Sequence, residues 1–171
     1  MKNFPYKPVF VIDVDGTLTN GMYLVSSNGD ITKQFYTRDF EALRQLQSKG
    51  YYVLVISSAD DDVFDKKLSQ LGPSSKRNLY YFKNVSDKRD FIQNIINRKV
   101  IKKLSLKFNW SDIFYIGDGD NDLPSMKKSG FVACPADATE SVRSIADWKM
   151  ESNGGAGAVY ECINKYLSNS R

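Results

Sequence analysis

The sequence predicts an α/β protein built on a doubly wound, mostly parallel β-sheet with helices on both faces. Three observations predict it. Short apolar runs rich in Val, Ile and aromatic residues alternate along the chain with segments of helical period. The apolar runs are the kind that strands buried on both faces require. Three of them end in unusual polar residues, and a parallel sheet gathers the carboxyl ends of its strands along one edge, where ligands bind.

Taken in order, "VFVIDV" (9–14) reads as a buried strand. "MYLVSSNGDITKQFY" (22–36) has two β-like arms around Asn28-Gly29, a β-hairpin flap after the first strand. "TRDFEALRQLQSKG" (37–50) is a helix with Ala42, Leu43 and Leu46 on its apolar face, stopped by Gly50. "YYVLVI" (51–56) is a second buried strand. "DDDVFDKKLSQLG" (60–72) is a helix with Asp60, Asp61 and Asp62 in its first turn, where the helix dipole favours acids. "NLYYF" (78–82) is a short strand, and 87 to about 107 is one long helix or two broken ones. The basic run 97–107 leads to Val100, Ile101, Leu104 and Phe108 at helical spacing, so a packed helix with a solvated face is expected there rather than a nucleic-acid surface. "DIFYI" (112–116), "GFVAC" (130–134) and "DWKM" (147–150) are further strands, and "GAVYECINKYL" (157–167) closes as a helix. With no repeats and no linker, residues 1–171 read as a single catalytic α/β domain.

Composition narrows the chemistry. A chain of 171 residues can bury a real core, and no apolar run approaches membrane-spanning length. "MKNFPYKP" lacks the apolar core of an export signal, and two cysteines, Cys134 and Cys162, suit buried thiols in a reducing compartment. A cytoplasmic protein with no membrane or nucleic-acid partner is expected. The chain has no histidine, which removes Ser-His-Asp catalysis, His-ligated zinc and imidazole acid–base chemistry. Carboxylates, lysines, hydroxyls and a hard metal ion remain.

Those groups sit at the predicted strand ends. The first strand gives Asp13 and Asp15, the second Ser57 and Ser58, and the fourth "GDGDND" (117–122). Lys88, with Lys83 and Arg89 as neighbouring cations, starts the helix after the third strand and can reach the same edge. Asp13, Asp15, Asp118 and Asp122 crowded in one crevice would repel, and a divalent cation with one lysine would offset much of that. Oxygen-only ligands point to Mg²⁺, which accepts phosphate oxygens readily. Phosphoryl transfer follows: one carboxylate attacks phosphorus, and the second protonates the leaving oxygen and then activates water. Gly16 lets the chain turn sharply so that backbone N–H groups face a phosphate.

"DVDGT" (13–17), Ser57, Lys88 and "GDGDND" together resemble the four motifs of the haloacid dehalogenase superfamily. The resemblance implies a Rossmann-like fold. It implies Asp13 as nucleophile, Asp15 as general acid/base, Ser57 as phosphate-binding hydroxyl and Lys88 as the lysine that holds phosphate and nucleophile. Asp118 and Asp122 are implied as metal ligands, joined by the Asp13 carboxylate and the Asp15 carbonyl, with Mg²⁺ as cofactor. Ion-pumping relatives carry lysine at the position of Asp15, and aspartate there implies hydrolysis.

"DGTLTNG", "NGDITKQFYTRD", "GDGDNDLPSM" and "GGAGAV" further resemble the phosphatases of 3-deoxy-manno-octulosonate 8-phosphate and sialate-type 9-phosphates, which have no cap domain. The gaps between Asp15, Ser57 and Lys88 have no room for a cap. In this group hairpins assemble a homotetramer and a neighbouring subunit lids each site. The group usually has Thr-Gly-Arg where this chain has Ser57-Ser58-Ala59, and often arginine where it has Ala156. Candidate substrate contacts are Gly16, Thr17, Ser58, Asn121, Lys33 and Arg38. The plainer reading of Lys33 is an edge-strand lysine that deters aggregation, and of Arg38 a salt bridge to a nearby acid. Asp120 reads as a solvated loop acid.

The expectation is a Mg²⁺-dependent, homotetrameric phosphomonoesterase working through an aspartyl-phosphate on a small sugar phosphate, such as a 2-keto-3-deoxy sugar acid 8- or 9-phosphate. Two rivals stand beside it. One is a capless phosphatase for another metabolite. The other is a non-catalytic oligomerisation module related to sialate-activating synthetases, although a scaffold need not keep crowded, destabilising acids.

Overall fold

Six strands pair in parallel into one sheet, in the order β5-β4-β1-β6-β7-β8. These are β1 (Val9–Ile12), β4 (Tyr52–Ile56), β5 (Leu79–Phe82), β6 (Ile113–Ile116), β7 (Phe131–Cys134) and β8 (Trp148–Lys149). The computed structural model describes residues 7–70, 78–97 and 107–169. β2 (Leu24–Val25) and β3 (Ile31–Thr32) form a separate antiparallel hairpin. The helices are α1 (Thr37–Ser48), α2 (Val63–Gln70), α3 (Lys88–Ile96), α4 (Leu123–Met126), α5 (Glu140–Ile145) and α6 (Ala158–Asn169).

Alternation along the central strands sorts the core into two layers, because successive strand residues point to opposite faces. Phe10, Ile12, Val53, Val55, Phe114 and Ile116 pack against Phe40, Leu43 and Leu46 of α1, Phe64 of α2, and Val159, Ile163 and Tyr166 of α6. Val9, Val11, Leu54, Ile56, Ile113 and Tyr115 pack against Ile92 and Ile95 of α3, Met126 of α4 and Val142 of α5. Each such side chain, once buried, contributes about 1.5–3 kcal/mol. Both faces are therefore covered, as an all-parallel sheet requires.

The chain leaves β1 for β4 and β5 on one side, then crosses back to β6, β7 and β8 on the other. A crevice opens where the direction of winding reverses, beside β1. Register sets the strand ends level there: Ile12 lies beside Val55 of β4 and Ile116 of β6. Among the described residues, only the hairpin separates β1 from α1, and only α2 separates β4 from β5.

Several boundaries differ from the sequence expectation. The second helix begins at Val63, not at residue 60, because the Asp61 side chain accepts the Val63 N–H at 3.0 Å and ends the loop there. Asp62 pairs with Lys83 instead of serving a first turn. The helix starting at Lys88 closes at Ile96 with Asn97 as its cap, and residues 98–106 of the basic run lie outside the described residues. The hairpin arms pair over two residues each, with Gly29 in the left-handed region at φ +84°. α4 and α5 are too short to carry a periodicity that the sequence alone discloses.

Candidate active site

Asp13 follows β1 and continues the side of the strand that carries Val9 and Val11, the side covered by α3. Its backbone N–H extends the ladder to the Ile116 carbonyl at 2.9 Å, which fixes its position. Lys88 stands at the start of α3 behind the Asp87 N-cap and is fully buried. The Lys88 ammonium donates to Asp13 Oδ1 and, at 2.8 Å, to Asp122 Oδ1. Asp122 is buried and takes a second bond from the Tyr115 hydroxyl at 2.7 Å. Asp118, past the end of β6, accepts from the Thr17 hydroxyl at 2.9 Å. Asp13, Asp118 and Asp122 each offer a carboxylate oxygen within 4.8 Å of the others.

Gly16 makes the approach of Asp118 possible. It adopts φ +94°, and a Cβ there would lie 2.0 Å from Asp118 Oδ2. No other residue accepts both the conformation and the contact. The late glycine segment supports the same loop from behind: a Cβ on Gly154 would lie 1.8 Å from the Gly16 carbonyl oxygen, and the Gly155 N–H donates to the Thr17 carbonyl at 3.0 Å.

The electrostatics of this cluster are unbalanced. Burial pushes the Asp13 carboxyl well above the usual carboxylate range, and the Asp122 charge adds to that against the pull of Lys88. Burial likewise raises Asp118 to about 6, with Asp122 adding to it and the Thr17 bond opposing. For Lys88, burial acts to lower the pKa, but the carboxylates of Asp13 and Asp122 outweigh it and the net shift is upward. One ammonium facing three carboxylates leaves excess negative charge. A cation with hard oxygen ligands fits that donor set, and the close-set oxygens fit its size.

Asp15 lies in a different environment. Its carboxylate pairs with Lys33 at 2.8 Å through Oδ1, and the Ser57 hydroxyl donates to Oδ2 at 3.3 Å. Lys33 comes from the hairpin, directly after β3, and its side chain is 5% exposed. It also bonds Asp61 at 2.6 Å, ahead of α2. Burial acts to lower its pKa, and the two carboxylates more than reverse that. Asp15, Lys33 and Asp61 line a cavity of about 560 Å³ with Tyr23 and Ile31 of the hairpin and Ser58, Ala59 and Asp60 of the loop after β4.

The fold thus gathers Asp13, Lys88, Asp118 and Asp122 on one side of the first loop, with Asp15, Ser57 and Lys33 on the other. Ser58 donates to the Val85 carbonyl at 3.0 Å, and the Asn121 amide donates to the Ser58 hydroxyl at 3.4 Å across the mouth. The Gly16 N–H donates to Thr19 Oγ1 at 3.3 Å. Asp120 accepts from Thr139 at 2.9 Å. Arg38 is exposed on α1 and rests over the Tyr160 ring at 5.9 Å, with no acid paired to it among the described residues. Sequence reasoning missed Tyr115, which reads as an ordinary strand aromatic, and the pairing of Lys33 with Asp15.

Comparison with known proteins agrees with this geometry. The model of the haloacid dehalogenase-like hydrolases matches residues 25–134. The chain is 28% identical to the 3-deoxy-D-manno-octulosonate 8-phosphate phosphatase of Haemophilus influenzae, over 92% of this chain and 82% of that protein. It is 26% identical to N-acylneuraminate cytidylyltransferase B of Danio rerio, over 95% of this chain but 36% of that enzyme. Among solved structures it resembles the 3-deoxy-D-manno-octulosonate 8-phosphate phosphatase of Moraxella catarrhalis in complex with magnesium, phosphate and the sugar acid. That match has a TM-score of 0.78 at 26% identity and covers 96% of this chain and 93% of that one. The chain belongs to the haloacid dehalogenase-like hydrolases.

Proposed function

We propose that this haloacid dehalogenase-like hydrolase is a Mg²⁺-dependent phosphomonoesterase that cleaves a small sugar phosphate through an aspartyl-phosphate. The observation that carries the reading is the buried group of Asp13, Asp118 and Asp122 around Lys88, with Asp15 turned toward the cavity beside it. Asp13, Asp118 and Asp122, with the Asp15 carbonyl, would hold Mg²⁺, which when bound neutralises charge on the phosphoryl oxygens.

In this reading Asp13 is the nucleophile. Its carboxylate oxygen forms a bond to phosphorus, and the bond from phosphorus to the sugar oxygen breaks. The electron pair leaves with that oxygen, which takes a proton from Asp15. Water then attacks phosphorus as Asp15 takes its proton, and the bond to Asp13 breaks to release phosphate. Lys88 holds the Asp13 oxygen in line and remains charged through both steps. Ser57, whose hydroxyl touches Asp15, can turn to a phosphoryl oxygen. Of the expected substrate contacts, Ser58 lines the cavity and the exposed Asn121 bonds to it, whereas Thr17 is fully buried against Asp118, the Gly16 N–H is taken by Thr19, and Arg38 is exposed on α1.

Relatives whose names specify an octulosonate 8-phosphate support an eight- or nine-carbon 2-keto-3-deoxy sugar acid as the leaving group. A homotetramer is supported by the hairpin, where Met22, Tyr23, Leu24 and Val25 are 59–74% exposed. A two-stranded hairpin is marginal alone, and so large an apolar patch favours burial against other copies. The free, buried thiols of Cys134 and Cys162 support a reducing, cytoplasmic setting. No described helix is long and apolar enough to cross a membrane. The oligomerisation-module reading gains from the cytidylyltransferase match, but a scaffold has no use for three crowded acids. The deciding assay is hydrolysis of p-nitrophenyl phosphate and a panel of sugar phosphates, with Mg²⁺ and with chelator. Turnover that requires Mg²⁺ is expected. Ca²⁺ should bind yet support little turnover, because its looser shell misplaces the nucleophile. Full activity in chelator, or none in Mg²⁺, would refute the reading.

A further inference from the structure

Lys33 has a role that an edge-strand lysine does not explain. It leaves the hairpin, loses nearly all solvent contact and is held between Asp15 at 2.8 Å and Asp61 at 2.6 Å. An ammonium placed only to deter aggregation stays in water. Its grip on Asp15 is one-sided: the ammonium sits on Oδ1 at 2.8 Å, with Thr19 Oγ1 at 3.5 Å, while among the described residues Oδ2 is met by the Ser57 hydroxyl at 3.3 Å. Asp15 and Lys33 both line the cavity of about 560 Å³ that opens beside the acid cluster.

From this geometry we infer that Lys33 is a positioning residue for the leaving-group step: it fixes Asp15 Oδ1 so that Oδ2 faces the ester oxygen that must be protonated. The inference rests on the phosphatase reading above. Asp61 is the third member of the arrangement, since it anchors the ammonium from α2's side and keeps it from drifting into the cavity. The hairpin therefore contributes to chemistry through one side chain, separately from any contact it makes with other copies.

The step protected is specific. As the phosphorus–oxygen bond breaks, the leaving oxygen gains the electron pair and needs a proton if its conjugate acid is weak. Phenol, with a pKa of about 10 like tyrosine, needs that proton, whereas p-nitrophenol leaves well without it. The two aryl phosphates have nearly the same shape, so a misfolded or loosened pocket would harm both alike. Comparison by kcat/KM confines the measurement to steps up to departure of the leaving group and omits hydrolysis of the aspartyl-phosphate.

The experiment is steady-state hydrolysis of phenyl phosphate and p-nitrophenyl phosphate by the full chain and by Lys33→Met, which keeps the stem and removes the charge. Lys33→Met should lose about tenfold more kcat/KM on phenyl phosphate than on p-nitrophenyl phosphate. Equal losses on both esters, or no loss, would overturn the role and leave the phosphatase reading intact. A wild-type chain that hydrolyses neither ester would overturn both. Should Lys33→Met fail to fold, Asp61→Asn supplies the same comparison, with the same asymmetry expected at a few-fold and its absence counting equally against the role.

Discussion

Asp13 and Asp15 are separated by one residue but lie in contrasting regions. Asp13 is 4% exposed, tied to β6 through its backbone and to Lys88 through its side chain, in a wall made of strand ends and helix starts. Asp15 is half-buried and meets side chains from a hairpin and a loop. A nucleophile must be aimed at one atom, and the central sheet, with neighbours on every side, is the most rigid place available. A proton donor must serve leaving groups that enter and depart, and a wall that includes a short two-residue ladder can yield to them. The difference teaches that a single intervening residue, Val14, separates an acid set by the sheet from an acid set by side chains of the hairpin and loops.

The largest test of that division is Asp13→Asn. The proposed attacking oxygen is lost at nearly constant volume, so turnover should fall by at least ~10³-fold. Stability should not fall with it, because burial already penalises the Asp13 charge and the amide relieves repulsion from Asp122. A kinetic assay paired with a thermal melt checks both. Near-wild-type turnover would remove Asp13 from the role of nucleophile, and a collapsed melt would make it a structural residue.

A smaller effect is expected from breaking the hairpin's outer face while leaving Lys33 in place. Leu24 and Val25 are 74% and 59% exposed. Replacing both by Asp should convert the proposed tetramer to monomers in light scattering, since charges cannot be buried against one another cheaply. Hydrolysis of p-nitrophenyl phosphate should survive, whereas discrimination among sugar phosphates should fall several-fold if, as proposed, a neighbouring subunit closes the cavity. A wild-type chain that is monomeric at micromolar concentration would confine the hairpin's contribution to its own site.

How far the sequence discloses these regions follows the same line. The fixed side was legible because its cues are local: an apolar run must be a strand, "GDGDND" must end one, and Gly16 beside two acids marks a tight turn. A lysine at the start of the helix after the third strand can reach the edge where Asp13 stands, and the family resemblance singles out Lys88 from Lys83 and Arg89; the structure bonds Lys88 to Asp13. The adaptable side was not legible, because its contacts join segments whose relation is set only by side-chain pairing. Nothing local to "DITKQF" announces that Lys33 reaches Asp15 and Asp61. Tyr115 was hidden for another reason: its ring does belong to the core, and only its hydroxyl reports on Asp122.

The smallest expected effect uses a buried acid outside the site as a standard for those within it. Asp39 on α1 is fully buried; its Oδ1 accepts the Tyr160 N–H at 2.8 Å near the start of α6, while Oδ2 has no hydrogen-bond partner among the described residues. Burial raises its pKa to about 6, against the smaller opposing effect of the Tyr160 bond. In the unfolded chain the same carboxyl titrates near about 3.9. Between those values the folded state binds the proton and the unfolded state does not, so stability falls as pH rises from about 4 to about 6 and is level above. The span corresponds to about 2–3 kcal/mol. Asp39→Asn removes this titration while keeping an oxygen for Tyr160, so its stability relative to wild type should improve across that window by up to about 2 kcal/mol. Urea midpoints at pH 4, 5, 6 and 7 measure it, and parallel curves for the two proteins would refute it. Asp13→Asn should show a difference of the same sign over its own range while also losing turnover. Asp39→Asn should gain stability with its activity retained, which would mark strain at the strand ends as the part of acid burial that belongs to catalysis.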